Sequence, residues 1–240
     1  MLTVVIGTEA KQRIGQQVLE YSIRKSASRE VEIRAVEQSQ APLAGTRFGF
    51  VRFQVPALCG FRGRAVYLDA DQLVLADIHE LAAQLEPPHA VGLVRDIEGT
   101  FDGKPVQPRN ETSVMVLDCD KLRSWDPDTL FTGVVPNRET PGPGQIRYRD
   151  FMRLQWLDPS LIQAIDPRWN HYNIVREDTK LVHFSHVKSQ PWKRPRHPEA
   201  RFWEGWLVDA IAAGAVSRGD LLKAIARGHV HPHYLRQVVG

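Results

Sequence analysis

The first 35 residues of the chain follow a strand–helix–strand pattern. Leu2 to Ile6 is a short, almost continuous apolar run, which is typical of a strand buried on both faces. Apolar residues then recur at helical spacing between Lys11 and Ser26, and from Val31 to Ala35 they alternate with charged residues, as in a strand. Two strands joined by a helix predict an α/β fold with a mostly parallel sheet.

The rest of the chain continues to alternate strand-like and helix-like segments. Apolar runs predict strands at residues 65–68, 90–94, 113–117 and 181–184. Helical spacing predicts helices at residues 48–58, from an N-cap at Asp77 to the Pro87-Pro88 pair, and in two segments beyond residue 200, the second capped by Ser217. Residues 99–109, which are rich in glycine, proline and charge, are expected to form a loop. We therefore expect a Rossmann-like domain at residues 1–198, with helices on both sides of its sheet, and a C-terminal helical extension packed on it at residues 199–240.

Composition and charge narrow the classes of ligand. The chain has 240 residues, of which 42% are hydrophobic, and this is enough for one sizeable core. Its 31 basic and 28 acidic side chains give a net charge of +3, which suits a small anionic ligand. Because there is no dense lysine and arginine run, we expect no nucleic-acid partner.

Cysteine content and hydropathy bear on the compartment. The two cysteines lack metal-type spacing and do not indicate a disulfide framework. No uninterrupted apolar run approaches the ~18 residues of a membrane span, and no secretory leader pattern is present. We therefore expect a cytoplasmic protein with no transmembrane segment.

Two carboxylates directly follow one of the predicted strands. Val66-Tyr67-Leu68 runs into Asp69-Ala70-Asp71, at the carboxyl end of a strand, where ligands of open α/β sheets bind. Alternate residues of an extended segment point the same way, so Asp69 and Asp71 can converge on one cation. Carboxylate oxygens suit Mn²⁺ or Mg²⁺, and such an ion would hold a diphosphate. The alternative is a solvated turn, but the apolar run that follows, Leu73-Val74-Leu75, favours a rigid crossing between elements.

The segment from Tyr67 to Ile78 resembles the signature of glycosyltransferase family 8, the glycogenin-like and galactosyltransferase-like group. It reads Tyr-Leu-Asp-Ala-Asp, followed by an apolar run, an aspartate and a helix. Further segments resemble the family's in the same order along residues 1–195. These are Thr8-Glu9, Arg52, the strand Thr112-Ser113-Val114-Met115, and His183-Phe184-Ser185 followed by Gln190-Pro191-Trp192.

The resemblance implies a GT-A fold and an activity. Members of the family transfer a hexose from a nucleoside-diphosphate sugar to a hydroxyl acceptor, with retention of anomeric configuration and with Mn²⁺. It implies a UDP-sugar as the donor and leaves the acceptor unknown. It also implies that Asp69, Asp71 and His183 are the metal ligands. An imidazole suits Mn²⁺, and the alternative for His183 is a buried, hydrogen-bonded side chain.

The remaining candidate residues divide between the two halves of the donor. For the nucleotide and diphosphate they are Thr8, Glu9, Arg52, Ala70, Lys188 and Trp192. For the donor sugar they are Thr112 and Ser113, by resemblance, and Arg95 and Asp96, which follow the strand at residues 90–94. Arg95 and Asp96 could equally form a surface ion pair. The basic, proline-containing segment at residues 188–198 is a candidate lid.

Three departures from the family pattern affect the catalytic prediction. Gln190 replaces a lysine, and Lys188 could supply the missing charge. Glu111-Thr112-Ser113 stands in place of Asn-Ser-Gly. No Asp-Gln-Asp motif is evident, and Asp150 is a candidate catalytic replacement or else a helix cap. A nucleotide-sugar-binding protein with weak or lost transfer is therefore the alternative to an active transferase.

Overall fold

The structure is a computed structural model that describes residues 1–37, 47–101 and 103–239. Its strands are β1 Leu2–Thr8, β2 Val31–Glu37, β3 Arg64–Asp69, β4 Gln72–Val74, β5 Val91–Val94, β6 Thr100–Phe101, β7 Lys104–Pro105, β8 Glu111–Asp118, β9 Val134–Val135, β10 Ile146–Arg147, β11 Ile162–Ala164, β12 His171–Tyr172 and β13 Leu181–His183. Its α-helices are α1 Arg13–Ser26, α2 Val51–Leu58, α3 Ile78–Ala83, α4 Tyr148–Met152, α5 Ala200–Ala212, α6 Arg218–Ala226 and α7 Arg236–Val239.

A six-stranded sheet forms the centre of the molecule, in the order β11-β5-β8-β3-β1-β2. β1 pairs in parallel with β2 and β3, and β11 pairs in parallel with β5. β8 lies antiparallel between β3 and β5. The predicted α/β fold with a mostly parallel central sheet is thus confirmed. Because β8 runs in reverse, its first residue, Glu111, lies at the same edge of the sheet as the last residue of β3, Asp69.

A smaller three-stranded sheet, in the order β12-β13-β4, lies beside this edge. β13 runs antiparallel to β4, with His183 opposite Gln72. The backbone N–H of Phe184 donates to the carbonyl of Asp71 at 2.9 Å. This pairing brings the end of β13 next to the segment that follows β3, although the two are far apart in the sequence.

The central sheet is buried on both faces. Val4 and Val66 pack in a cluster with residues of α1 and α3, whereas their chain neighbours Val5 and Tyr67 pack in a second cluster with residues of α2. Successive side chains of a strand point to opposite faces. A strand that is covered on both sides is therefore apolar throughout, and this explains the nearly continuous apolar runs in the sequence.

The C-terminal helices pack on α1 through a third cluster. Trp203 of α5 is 1% exposed, and the centre of its ring lies 5.2 Å from the centre of the Trp192 ring. The hydroxyl of Ser217 accepts from the backbone N–H of Asp220, which caps α6 as predicted. The boundary at residue 198 between a domain and an extension stays a prediction.

Local structure differs from the expectations in two places. The stretch at residues 99–109, expected to be a loop, carries the short hairpin β6–β7. The edge strand β11 was not predicted, since three residues are too few to reveal a period. Within the described residues, no helix is long and apolar enough to cross a membrane.

Candidate active site

Asp69, Asp71 and His183 form one cluster at the carboxyl edge of the central sheet. Each offers a ligand atom, and the three atoms lie within 4.8 Å of one another. Asp69 ends β3, and Asp71 follows a turn in which the N–H of Ala70 donates to the carbonyl of Gly7 at 3.1 Å. His183 ends β13. The two sheets therefore supply the two halves of the cluster.

Asp69 is held by a buried arginine. Nη2 of Arg52 donates to the two carboxylate oxygens of Asp69 at 2.8 and 3.0 Å, and the hydroxyl of Tyr67 donates to Oδ1 at 2.6 Å. Burial raises the pKa of the Asp69 carboxyl, and the Arg52 charge only partly offsets this effect. A further cation at this point would favour the ionised form of Asp69.

The hydrogen bonds of His183 suit a metal ligand. Nδ1 lies 3.2 Å from Oδ1 of Asn170, whose Nδ2 in turn donates to Oγ of Ser113 at 3.1 Å. With its oxygen toward the ring, Asn170 accepts the proton of Nδ1, so Nε2 is left as the coordinating nitrogen. Nε2 faces Oδ1 of Asp71 at 3.2 Å. Burial is the largest single effect and opposes protonation of His183, but Asp71, Asp69 and Glu111 together outweigh it and raise the pKa of the imidazole.

Gln190 holds the remaining aspartate. Its Nε2 donates to Oδ2 of Asp71 at 2.9 Å, and its Oε1 accepts from Nε2 of Gln12 at 3.3 Å. From the sequence, Gln190 was interpreted only as the replacement of a lysine. The structure shows that its amide orients Asp71, a candidate metal ligand. Only the tertiary structure reveals this role, since the two residues are 119 positions apart.

Two carboxylates, each fixed by a neighbour, suit Mn²⁺ or Mg²⁺, and the fixed imidazole favours Mn²⁺ of the two. Arg52, Asn170 and Gln190 are the outer partners that fix the three ligands. The residues present therefore fit a divalent cation.

The cluster opens into a cleft of about 410 Å³. Residues at the start of β8 and on α4 also line it. The residues that line it are Arg52, Asp69, Asp71, Phe101, Arg109, Asn110, Glu111, Thr112, Asn137, Tyr148, Arg149, Met152, Arg153, Tyr172, His183, Ser185 and Val187. Five of the predicted site residues are among them, namely Arg52, Asp69, Asp71, Thr112 and His183.

Four predicted residues lie on the β1 side of the metal cluster, away from this cleft. Thr8 is buried at the end of β1, and its hydroxyl lies 3.5 Å from Oε1 of Gln16. Glu9 and Ala70 are its neighbours along this edge. Trp192 is 1% exposed and packs in the C-terminal core cluster.

The other predicted residues also lie outside the cleft lining. Lys188 is exposed. Nε of Arg95 donates to Oδ1 of Asn110 at 2.9 Å, and Asp96 is exposed without an ion pair to Arg95. Ser113 is 1% exposed. Asp150 lies on α4 with its carboxylate 3.5 Å from Nε of Arg149.

Two further residues, Glu111 and Lys193, carry charge at the site. Glu111 lines the cleft beside Arg109. Lys193 is half-buried and close enough to Asp71 and Glu9 for their charges to act on it, although burial is the larger effect and lowers the pKa of its amine. The sequence shows a basic residue three positions after Gln190, but it does not show where the side chain of that residue points.

Comparison with known proteins identifies the fold. No family model matches the sequence. Protein CDI of Arabidopsis thaliana is 28% identical to it, over 79% of this chain and 78% of that protein. The galactosyltransferase LgtC, solved with donor and acceptor sugar analogues, matches with a TM-score of 0.61 and 13% identity, over 86% of this chain and 95% of LgtC. The glycosyltransferase GlyE of Streptococcus pneumoniae TIGR4 matches with a TM-score of 0.62 and 15% identity, over 89% and 64% of the two chains. The expected fold is confirmed: this chain has the GT-A fold of these glycosyltransferases.

Proposed function

We propose that this protein is a glycosyltransferase that moves a hexosyl group from a nucleoside-diphosphate sugar to a hydroxyl acceptor, with a divalent cation and with retention of configuration. The donor proposed is a UDP-sugar and the cation Mn²⁺. The observation that carries the proposal is the cluster of Asp69, Asp71 and His183, whose ligand atoms lie within 4.8 Å on the wall of a cleft in a GT-A fold.

The position of the cluster favours a nucleotide ligand. In open α/β sheets, ligands bind outside the carboxyl ends of the strands, and the cluster lies where β3 ends next to β1. The base and ribose would lie over the end of β1, near Thr8 and Glu9, and the sugar would extend into the cleft. A divalent cation at the cluster would neutralise charge on the diphosphate leaving group.

The chain's own residues would prepare this site before the donor binds. Arg52 and Gln190 hold the two carboxylates in place, and Asn170 fixes the tautomer of His183. Such preorganisation lowers the cost of arranging charges at the moment of reaction. Lys193, whose amine feels the charges of Asp71 and Glu9 and donates to the carbonyl of Val187 at 3.0 Å, would face the diphosphate. The segment at residues 188–198, which Gln190 and the buried Trp192 hold in place, would exclude water from the diphosphate.

A nucleotide-sugar-binding protein without turnover is the second candidate. The observation in its favour is that Asp150, the candidate catalytic carboxylate, contacts Arg149 and does not line the cleft. The two candidates predict the same donor binding and differ only in transfer.

Thermal unfolding tests the donor site. We expect Mn²⁺ together with UDP, or with a UDP-sugar, to raise the melting temperature of the wild-type protein, because a ligand that binds only the native state stabilises it. At a ligand concentration 100 times the Kd, the stabilisation is about 2.7 kcal/mol. Asp71→Asn should lose this metal-dependent increase while it melts cooperatively without ligand.

Asp128→Asn is the matched control, since Asp128 is exposed and lies outside the cleft lining. It should respond to ligands as the wild type does. No stabilisation by any of a panel of nucleoside diphosphates at millimolar concentration would contradict the proposal. Stabilisation accompanied by sugar transfer to small hydroxyl acceptors supports the enzyme, and stabilisation with no transfer or donor hydrolysis supports the second candidate.

A further inference from the structure

The two cysteines of the chain lie against each other, although they are far apart in the sequence. Cys59 follows the last residue of α2, and Cys119 follows the last residue of β8. Both thiols are free, and they form a hydrogen bond with each other. Neither cysteine is among the described residues that line the cleft, so the proposed function gives this pair no role.

Backbone hydrogen bonds hold both cysteines in place. The N–H of Cys119 donates to the carbonyl of Gly63 at 2.9 Å, and the N–H of Gly63 donates to Oδ2 of Asp120 at 2.8 Å. The N–H of Cys59 donates to the carbonyl of Val55 at 3.0 Å, which continues the pattern of α2 to this residue. The contact between the thiols therefore follows from the packing of α2 against β8.

The two thiols differ in their access to solvent. Cys119 is fully buried in the core cluster that contains residues of α2, whereas Cys59 packs on this cluster and remains partly exposed. A small molecule from solution therefore reaches Cys59 first, and Cys119 can react only with a group inside the protein. An accessible thiol beside a second, resolving thiol is the usual arrangement of a redox-sensitive site.

Cys59 is the more acidic of the two thiols. The hydrogen bond that Cys119 donates lowers the pKa of Cys59 to about 7, although partial burial opposes this effect. Arg34 of β2 donates to the carbonyl of Leu58 at 2.6 Å, and its charge favours the Cys59 thiolate. Glu32 pairs with Arg34 at 2.7 Å and acts in the opposite direction. A large fraction of Cys59 is therefore thiolate at neutral pH, and the thiolate is the nucleophilic form.

Cys119 keeps its proton at neutral pH. Its hydrogen bond to Cys59 has the largest effect and burial the next, and both raise the pKa of the Cys119 thiol. The charges of Cys59, Asp118 and Asp120 act in the same direction. Because Cys119 is protonated and buried, only the sulfur of Cys59 is a nucleophile toward a molecule from solution.

We propose that Cys59 and Cys119 form a redox-sensitive site, at which a peroxide oxidises Cys59 and Cys119 then closes a reversible disulfide. This inference goes beyond the proposed function and does not depend on it. Transient disulfides of this kind are typical of redox-sensing proteins in reducing compartments.

The reaction balances in two steps. The Cys59 thiolate attacks one oxygen of hydrogen peroxide, the O–O bond breaks, and the departing hydroxide takes up a proton to form water. The peroxide is reduced, and the sulfur is oxidised to a sulfenic acid. The sulfur of Cys119 then loses its proton and attacks that of Cys59, so that the S–S bond forms, the S–O bond breaks and a second water leaves. Two thiols and one peroxide thus give one disulfide and two waters.

Oxidation of the native wild-type protein tests the pairing. The reduced protein is treated with a small excess of hydrogen peroxide at neutral pH, and its mass and its free thiols under denaturing conditions are measured. We expect a single chain that is lighter by two hydrogens and has no free thiol, and dithiothreitol should restore both thiols. Two remaining free thiols, added oxygen without a disulfide, or a disulfide between two molecules would each overturn the inference.

Single variants separate the roles of the two thiols. In Cys119→Ala, peroxide should leave Cys59 as a sulfenic acid that dimedone traps, since the resolving thiol is missing. Cys59→Ser is the matched control, because it keeps Cys119 as a single buried thiol. We expect peroxide to oxidise Cys119 in this variant at least about tenfold more slowly than Cys59 in Cys119→Ala. Equal rates for the two single thiols, in variants that melt cooperatively, would contradict the assigned order.

The pH dependence of alkylation tests the hydrogen bond between the thiols. The rate at which iodoacetamide alkylates Cys59 should rise with pH, with a midpoint near pH 7 in the wild-type protein. In Cys119→Ala the midpoint should move up toward about 8.5, the pKa of an ordinary cysteine. The same midpoint in both proteins would show that Cys119 does not activate Cys59. The oxidation of the wild type decides the inference even if a variant fails to fold.

Discussion

At the scale of single residues, the site depends on charges that are buried and paired. Arg52 is 5% exposed, donates to Asp69 and Thr112, and lies with its guanidinium carbon 5.2 Å from the centre of the Tyr67 ring. Taking such a charge out of water is costly, and the pair is stable only while both partners remain. The contribution of Asp69 to stability therefore depends on Arg52 and the reverse. The binding of a metal at Asp69 would depend on Arg52 as well.

Arg52→Gln should lower the free energy of unfolding by about 3–5 kcal/mol in the absence of metal, because it leaves the buried Asp69 charge without compensation. Mn²⁺ should restore part of this loss, since a cation at Asp69 replaces the missing positive charge. Urea unfolding with and without Mn²⁺ measures both effects.

Arg168→Gln provides the comparison for Arg52. Arg168 pairs with Asp166 at 2.6 Å, but its side chain is 43% exposed. Water and salt screen exposed pairs, so this variant should change the free energy of unfolding little and should respond to Mn²⁺ as the wild type does. If Arg52→Gln and Arg168→Gln lower the free energy of unfolding by the same amount, the buried Arg52–Asp69 pair contributes no more than an exposed pair.

At the scale of elements, caps and turns fix where the helices begin. Asp77 precedes α3, and its Oδ1 accepts from the backbone N–H groups of His79 at 3.0 Å and Ser28 at 3.2 Å. One carboxylate thus caps α3 and ties it to the turn between α1 and β2. The sequence predicted the cap from Asp77 and the helical spacing after it, but not the contact with Ser28, which is distant in the chain.

Asp77→Ala should lower the free energy of unfolding by about 1 kcal/mol at neutral pH, the usual effect of a lost N-cap, whereas Asp77→Asn should retain most of it. Burial is the largest single effect and opposes ionisation, but the hydrogen bonds from Ser28 and His79 together outweigh it and lower the pKa of Asp77. A lowered pKa means that the charge-dependent part of the stabilisation is complete above the unfolded-state value of about 3.9 and is lost as the pH falls through the folded-state value. Thermal unfolding of wild type and Asp77→Ala between pH 7 and pH 3 should show their difference shrink only at the acidic end. A constant difference across this range would contradict a charged cap.

At the scale of the whole molecule, the C-terminal helices support the loop that carries Gln190. The N–H of His231 donates to the carbonyl of Trp192 at 2.7 Å, and the hydroxyl of Tyr234 donates to the carbonyl of Pro191 at 3.0 Å. Trp203 packs against Trp192 in the same cluster. The packing of the last helices is therefore linked to the position of Asp71 through Gln190.

Trp203→Ala should lower the free energy of unfolding by about 3–5 kcal/mol, because it leaves a large cavity in this cluster. It should also reduce the stabilisation by Mn²⁺, since the loop that holds Gln190 loses support. Val208→Ala is the control on the same helix, as Val208 is 41% exposed and should cost less than about 0.5 kcal/mol. Full Mn²⁺ stabilisation in Trp203→Ala would show that the loop does not depend on the helices.

Local patterns in the sequence were sufficient to predict the main elements and one part of the site. The strand and helix periods indicated the α/β class, because burial imposes them residue by residue. Asp69 and Asp71 were predictable as a pair, since they are two positions apart on one extended segment and must converge wherever that segment lies. The resemblance to glycosyltransferase family 8 added His183, which no local pattern could connect to them.

Only the tertiary structure decided what surrounds that pair. A strand buried on both faces is apolar in either direction, so no local pattern could show that β8 runs antiparallel, and only the family resemblance pointed to its first residues. Gln190 reaches Asp71 only through the pairing of β13 with β4 and the packing of the loop that follows. The direction in which Asp150 points depends on how α4 is rotated against the sheet. Periodicity reports which residues are buried, whereas the contacts of a polar side chain depend on where distant segments of the chain meet.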